Sequence, residues 1–208
     1  MMLILFVSLF LQTAGSTVTP PSLLSVNAPV SPYGVVQGGV ALADLTVGSA
    51  GSVERTALLQ GSSPFSEETL RVVGSWRFIP AQMADRPTSS HVGVLTVFRP
   101  AALGTFGVGG SSFGFQKPVV AKSDHSALPE SITDPGYPQN SIAEGTVVLE
   151  VTIDKTGHPS GTRVIQDVPG LTEPSRFAVR NWRFLPAVDS GETVEGKVIV
   201  AIAYQRPV

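Results

Sequence analysis

Cysteine is absent from this chain of 208 residues, and charged residues make up only 14% of the sequence. Without cysteine the protein has no disulfide bonds, no thiolate metal ligands and no cysteine nucleophile. The charges that are present are balanced, with 14 lysines and arginines against 16 aspartates and glutamates. Because no basic stripe interrupts this balance, the sequence argues against nucleic acid as a partner.

Histidine is scarce as well. His91, His125 and His158 are scattered along the chain, and no two of them have the spacing of metal ligands. The glycine-rich stretch at residues 104–114 does not fit a phosphate-binding loop, because Lys117-Pro118 follows it where a lysine leading into a helix is needed. We therefore predict a protein that is not an enzyme and that holds no metal or cofactor.

The amino terminus carries an apolar run, Leu3 to Leu11, followed by the small residues Ala14-Gly15-Ser16. This run is too short to cross a bilayer as a stable anchor. It fits the apolar region of a secretory signal, although no lysine or arginine precedes it. We predict a signal peptide at residues 1–16, with a retained short anchor or a buried helix as the alternatives.

The most informative feature that is present is an internal repeat. Residues 39–100 align with residues 145–206 without a gap, at a constant shift of 106 positions. The same hexapeptide pattern, Trp-Arg-Phe-x-Pro-Ala, occurs at Trp76 and again at Trp182. The repeat predicts two tandem domains, at residues 33–100 and 132–208, joined by linkers at 17–32 and 101–131.

Each copy has the same pattern of periodicity. Val147, Leu149, Val151 and Ile153 alternate with other residues, as do their counterparts at 41, 43, 45 and 47, which predicts a strand with one apolar face. A glycine turn and a second strand follow, at about 162–166 and 56–60. A helix then starts near the expected N-caps Ser66 and Thr172, and a last strand ends each copy. The fold class is therefore α+β, with one helix packed on a small antiparallel sheet in each copy.

The residues of the second copy resemble the C-terminal domain of TonB, the energy transducer of Gram-negative envelopes. The resemblance rests on the Pro-Gly-Tyr-Pro sequence at 135–138, the Asp-x-x-Gly turn at 154–157, and the Trp-Arg-Phe-x-Pro signature at 182–186. The first copy looks like a degenerate member, because it has Tyr33-Gly34 where the family has Tyr-Pro.

The resemblance implies a periplasmic domain that grips the Ton box of an outer-membrane transporter by adding this peptide to the edge of its sheet. A short sheet leaves backbone groups unpaired at its edge, which an extended peptide can use. The predicted edge is the last strand of the second copy, and Tyr137-Pro138 belongs to the groove or forms a structural turn. The predicted partner-binding residues are Tyr137, Pro138, Val198, Ile199, Val200, Ala201, Ile202, Ala203 and Tyr204.

The sequence thus predicts a periplasmic protein-binding module that engages an outer-membrane transporter, or another envelope protein, in energy-coupled transport. The alternative is a structural envelope module whose edges pair with each other or in a homodimer, without a transport role. Contact with the membrane is expected only if the N-terminal segment is retained.

Export with processing is the first testable prediction. The mature protein should be shorter than the 208-residue chain by roughly 14–20 residues, as expected for removal of a signal peptide. Mass spectrometry of the protein purified from the envelope fraction measures this loss. A full-length protein embedded in the membrane would instead support the retained anchor.

Overall fold

The computed structural model describes residues 18–100, 113–120, 124–139 and 141–206. The predicted signal peptide at residues 1–16 lies outside this range. No helix within the described part of the chain is long and apolar enough to cross a membrane.

The two copies contain the same order of elements, except that the first copy has one additional short strand at its start. In the first copy the elements are β1 (Val18–Thr19), β2 (Ser22–Ser25), β3 (Gly39–Val47), β4 (Val53–Gly61), α1 (Phe65–Val73), β5 (Arg77–Ile79), β6 (Ala81–Met83), β7 (Arg86–Thr88) and β8 (Ser90–Phe98). In the second copy they are β9 (Leu128–Ser131), β10 (Gly145–Ile153), β11 (Pro159–Gln166), α2 (Thr172–Arg180), β12 (Arg183–Leu185), β13 (Ala187–Asp189), β14 (Glu192–Val194) and β15 (Gly196–Tyr204). The predicted α+β class is confirmed.

A glycine turn joins the first two long strands of each copy and fixes the hairpin against the strand that follows the helix. Gly51 and Gly157 have φ angles of 78° and 83°, a conformation that favours glycine. A Cβ atom at Gly157 would lie 2.1 Å from the carbonyl oxygen of Phe184, and one at Gly51 would lie 2.0 Å from that of Phe78. The turn therefore needs glycine for both its backbone angle and this close approach.

The helices begin without the side-chain caps that the sequence predicted. The residues at the N-cap positions are Pro64 and Leu171, and neither makes a side-chain capping bond. Ser66 and Thr172 lie inside the first turn. The hydroxyl of Thr172 instead donates to the carbonyl oxygen of Val168 at 3.2 Å, which joins the helix start to the preceding loop.

One continuous sheet contains the long strands of both copies, in the order β11-β10-β15-β8-β3-β4. The pairs within each copy are antiparallel, and the two copies join through a parallel pairing of β15 with β8. This corrects the expectation of two separate sheets in two tandem domains. In a separate three-stranded sheet, the last strand of each copy would have one unpaired side. Here the two last strands, β8 and β15, pair with each other on that side.

The segments predicted as linkers, 17–32 and 101–131, contain strands. We call residues 18–30 the first arm and residues 124–134 the second arm. The first arm pairs β1 with β6 and β2 with β5, and the second arm pairs β9 with β12. Both arms accept a hydrogen bond from the indole of their own copy, Trp76 to the oxygen of Asn27 at 2.9 Å and Trp182 to that of Thr133 at 3.0 Å. The arms are therefore parts of the repeated fold.

The molecule has three layers, with the sheet in the middle. The buried apolar side chains form two clusters, one on each face of the sheet. The cluster around Trp76 includes residues of α1 and the first arm, and the cluster around Trp182 includes residues of α2 and the second arm. Each cluster draws on both copies: Val148, Ile199 and Ala201 of the second copy pack with Trp76, whereas Leu42 and Leu95 of the first pack with Trp182. Neither core therefore consists of residues of one copy alone.

Shared cores predict that the protein unfolds in a single transition. Trp182 is 1% exposed, so Trp182→Ala should lower the free energy of unfolding of the whole protein by about 3–5 kcal/mol. Trp76 is then the sole remaining tryptophan, since the chain has two, and its fluorescence reports on the first copy during urea unfolding. Circular dichroism and fluorescence should give one shared, shifted midpoint.

Phe177→Ala is the control, because this aromatic side chain on α2 is 70% exposed and its removal should change stability little. Loss of the second copy in Trp182→Ala while Trp76 keeps its original midpoint would show that the two copies fold separately.

Candidate protein-interaction site

The predicted binding strand, β15, lies in the middle of the sheet. Its residues pair with β10 on one side, from Gly196 opposite Ile153 to Tyr204 opposite Gly145. On the other side they pair with β8, from Val198 beside Gly93 to Ala203 beside Phe98. The expectation that this strand is an edge is therefore wrong, and binding of a partner at its residues remains a prediction.

The side chains of β15 are also enclosed. Every residue from Val198 to Tyr204 is at most 3% exposed. Val198, Val200 and Ile202 pack in the core that contains Trp182, and Ile199 and Ala201 pack in the core that contains Trp76. A partner strand could reach this backbone only if β8 and the layers on both faces moved away.

A signal for this central position is present in the sequence. A strand with one solvated face alternates apolar and polar residues, whereas a strand covered on both faces is a continuous apolar run. The last strands, Val92–Phe98 and Val198–Tyr204, are nearly continuous apolar runs. This pattern indicates burial on both faces. The prediction of an exposed edge depends on a different premise, that each copy forms a separate short sheet.

Tyr137 and Pro138 form part of the core wall next to β15. Tyr137 is 3% exposed, its hydroxyl donates to the carbonyl oxygen of Ala143 at 2.8 Å, and its ring centroid lies 6.3 Å from that of Tyr204. Pro138 is half-buried, and its carbonyl oxygen accepts a hydrogen bond from the amide of Ser141 at 3.0 Å. These contacts favour the structural turn over a lining of an open groove.

The end of β15 is fixed by a buried hydrogen bond between helix and sheet. The hydroxyls of Tyr204 and Ser175 of α2 lie 2.8 Å apart. Burial is the main cause that raises the pKa of Tyr204 to about 12, against the opposing effects of the Ser175 hydrogen bond and the nearby Arg99. The phenol is therefore neutral at physiological pH and serves as a hydrogen-bonding group.

A buried ion pair ties the two copies together beside Tyr204. Arg99, directly after β8, forms a fork with Asp134 of the second copy, with distances of 2.5 Å from Nε to Oδ1 and 2.8 Å from Nη2 to Oδ2. Both side chains are 1% exposed. The guanidinium carbon lies 5.4 Å from the centre of the Tyr204 ring, within cation–π distance. The backbone amide of Arg99 also donates to the carbonyl oxygen of Ala203 at 2.9 Å.

Two other strands, β4 and β11, form the outer edges of the sheet within the part of the chain that the structure describes. On β4, Leu58 and Leu59 are 41% and 45% exposed. On β11, the guanidinium of Arg163 turns inward to the carboxylate of Glu150 at 3.0 Å. Among the described residues no strand pairs with the outer side of β4 or β11, so backbone groups along these edges are open to a partner strand.

The three histidines do not lie together: His91 is on β8, His125 is in the second arm, and His158 directly precedes the edge strand β11. His91 lies 2.6 Å from Asp44, His125 lies 2.7 Å from the carbonyl oxygen of Ser126, and His158 lies 2.9 Å from the hydroxyl of Thr156. In the described residues, no group of three or more histidine, aspartate and glutamate side chains has an arrangement that could hold a metal ion.

Comparison with known proteins gives one family. Residues 133–205 match the model of the Gram-negative bacterial TonB protein C-terminal domain. No curated protein and no solved structure matches the chain. The matched range runs from the end of the second arm through β15, so it covers Asp134, Tyr137 and the Trp-Arg-Phe-x-Pro signature. The match supports the resemblance seen in the second copy and, with it, a protein-interaction role in the cell envelope.

We predict that removing one charge of the Arg99–Asp134 pair destabilises the protein much more than replacing both residues. Asp134→Asn leaves the buried guanidinium without a counter-charge and should destabilise the protein by about 3–5 kcal/mol, whereas the double variant Arg99→Met with Asp134→Leu should recover much of this loss. Urea unfolding measures both.

Glu130→Gln is the control, because the Lys117–Glu130 pair is exposed, at 57% and 37%, and exposed pairs contribute about 0–1 kcal/mol. Equal losses in the Asp134 and Glu130 variants would mean that the buried pair does not hold the two copies together.

Proposed function

We propose that this protein is a periplasmic module that binds envelope proteins by accepting an extended segment of the partner as an added strand at β4. The observation that carries the proposal is the match of residues 133–205 to a domain family of envelope protein interaction, on a sheet whose outer edges are open. Strand addition is the recognition mode that an open sheet edge offers.

The cost of opening the sheet argues against β15 as the binding strand of the intact protein. A peptide there would have to replace β8, whose residues from Val92 to Phe98 are buried in the same cores. Exposing such side chains costs about 1.5–3 kcal/mol for each large one. An outer edge accepts a strand without this loss.

Of the two outer edges, β4 is better suited to a partner strand. It is nine residues long and free of proline, whereas β11 starts at Pro159. The repeat places Leu58 and Leu59 of β4 where β11 has Val164 and Ile165, which are half-buried. Leu58 and Leu59 lie at a β-bulge, where the pairing shifts from Leu42–Gln60 to Ala43–Leu58. Both side chains are partly exposed there and offer apolar contact to a partner.

The family supports a finer assignment of the partner. We propose that the partner is the exposed peptide of an outer-membrane transporter and that the complex serves energy-coupled transport. The predicted signal peptide would bring the protein to the periplasm where such a peptide is accessible.

The parallel pairing of β8 with β15 favours a second candidate function. In this alternative the protein is a structural envelope module, in which each copy satisfies the edge of the other and no partner strand is needed. The two candidates differ in what they expect at β4: protection by a partner strand in the first, and no partner strand in the second.

Amide shifts and hydrogen exchange of the full chain, measured during titration with a Ton-box-like peptide, test the proposal. Alternate amides of β4 should become protected, because only the outward N–H groups bond to a new strand. Amides of Val198–Tyr204 should keep their existing protection. Leu59→Lys should weaken binding about tenfold or more, since lysine on an edge strand opposes further pairing.

Val119→Lys is the matched control, because Val119 is fully exposed and lies outside the strands, so binding should be unchanged. New exchange along β8 together with peptide shifts in β15 would place the site at the predicted strand and overturn the β4 assignment. Absence of peptide-dependent changes at both strands would support the structural module.

A further inference from the structure

Two carboxylates at equivalent positions of the repeat each hold the arm of the other copy. Glu150 on β10 accepts hydrogen bonds from the amide of Leu23 at 2.6 Å and from the hydroxyl of Ser22 at 3.0 Å, both in the first arm. Asp44 on β3 accepts a hydrogen bond from the hydroxyl of Ser126 in the second arm at 2.6 Å. We call these arrangements the Glu150 clasp and the Asp44 clasp.

The cations of the two clasps differ. The carboxylate of Glu150 lies 3.0 Å from Nζ of Lys197 and 3.0 Å from Nη2 of Arg163. In the first copy the repeat places His91 at the position of Lys197 and Ala57 at the position of Arg163. Asp44 therefore has an imidazole at 2.6 Å, where Glu150 has a lysine and an arginine.

The Glu150 clasp keeps its charges over a wide pH range. Burial alone would raise the pKa of Glu150, but hydrogen bonds from Arg163, the Leu23 amide and Lys197 outweigh it, so that the pKa lies below its ordinary value. The folded-state stabilisation is therefore present above the unfolded pKa of about 4.3 and is lost only as the pH falls through the lowered value.

The Asp44 clasp contains an imidazole whose pKa is raised above its ordinary value. The hydrogen bond to Asp44 is the main cause that raises the pKa of His91, partly opposed by burial and by Arg55 and assisted by Asp124. Other titratable groups line the cleft of about 280 Å³ that His91 shares with the second copy. They are Asp124, His125, Asp189, Glu195 and Lys197.

We propose that the Asp44 clasp is a pH-responsive contact: protonated His91 holds the second arm on the first copy's sheet, and deprotonation loosens the arm there. A histidine with a raised folded-state pKa stabilises fully below its unfolded pKa of about 6.5 and loses this contribution as the pH rises through the folded value. Deprotonation removes the charge-assisted part of the hydrogen bond to Asp44.

Loosening of the second arm should affect the junction between the copies, which is the pairing of β8 with β15. A Cβ atom at Gly93 of β8 would lie 2.4 Å from the carbonyl oxygen of Ala127, so the second arm passes directly over the strand that pairs with β15. The amide of His125 donates to the carbonyl oxygen of Val188 at 3.0 Å, which anchors the arm on the other side of the cleft. Rising pH should therefore open the cleft side of this junction first.

Hydrogen-exchange protection of the full chain between about pH 6 and about pH 9 tests the proposal, because this range extends upward from the ordinary histidine pKa of about 6.5, above which Asp44 raises the pKa of His91. After correction for the intrinsic exchange rate, protection of the His125 amide should fall severalfold as the pH rises. Protection of the Leu23 amide in the Glu150 clasp should stay constant and serves as the internal control.

Three variants complete the test. His91→Lys, which copies the residue of the other clasp, and Ala57→Arg, which adds the missing cation, should each reduce or remove the pH dependence. His91→Gln should give low protection at every pH. His158→Gln, at an exposed turn, should behave like the unmodified protein. A pH dependence that persists in His91→Gln, or its absence in the unmodified protein, would overturn the proposal.

Discussion

Parallel pairing between β8 and β15 is the interaction on which the rest of the structure depends. It joins two three-stranded sheets into one sheet of six strands, and it buries the third strand of each copy on both faces. Because one helix and one arm cover each face, each core contains residues of both copies. The buried Arg99–Asp134 pair lies at one end of the paired strands and the carboxylate clasps lie toward the other, so the polar contacts between the copies are arranged around this pairing.

The same pairing decides where a partner can bind. The last strand of the second copy would have an open side if the sheet ended there, but the first copy already occupies that side. The open backbone groups lie on β4 and β11 instead, at opposite ends of the sheet. Their chemistry differs, because Arg163 of β11 is drawn inward to Glu150, whereas β4 keeps two leucines partly exposed.

The two copies are similar in geometry and unequal in chemistry. Equivalent positions hold Lys197 and His91, Arg163 and Ala57, and Glu150 and Asp44. The hydrogen bonds from Trp76 and Trp182 to their arms are preserved in both copies. The charged groups through which one copy contacts the other therefore differ, although the indole contacts of the framework are shared.

The sequence by itself determined the local structure of each copy and the family that the second copy resembles. Alternating apolar residues, a glycine that alone tolerates the turn at 157, and the amphipathic helix are dictated by neighbours in the chain, and the resemblance rests on residues that follow one another. Only the tertiary structure decided which strand pairs with the second side of β15, that Tyr137 is a core residue and that the segments before each copy are arms instead of linkers. These features arise from contacts such as Val198 with Gly93 and Ser22 with Glu150. Groups so far apart in the chain leave no periodic pattern, because whether a strand edge is open depends on what else is folded beside it.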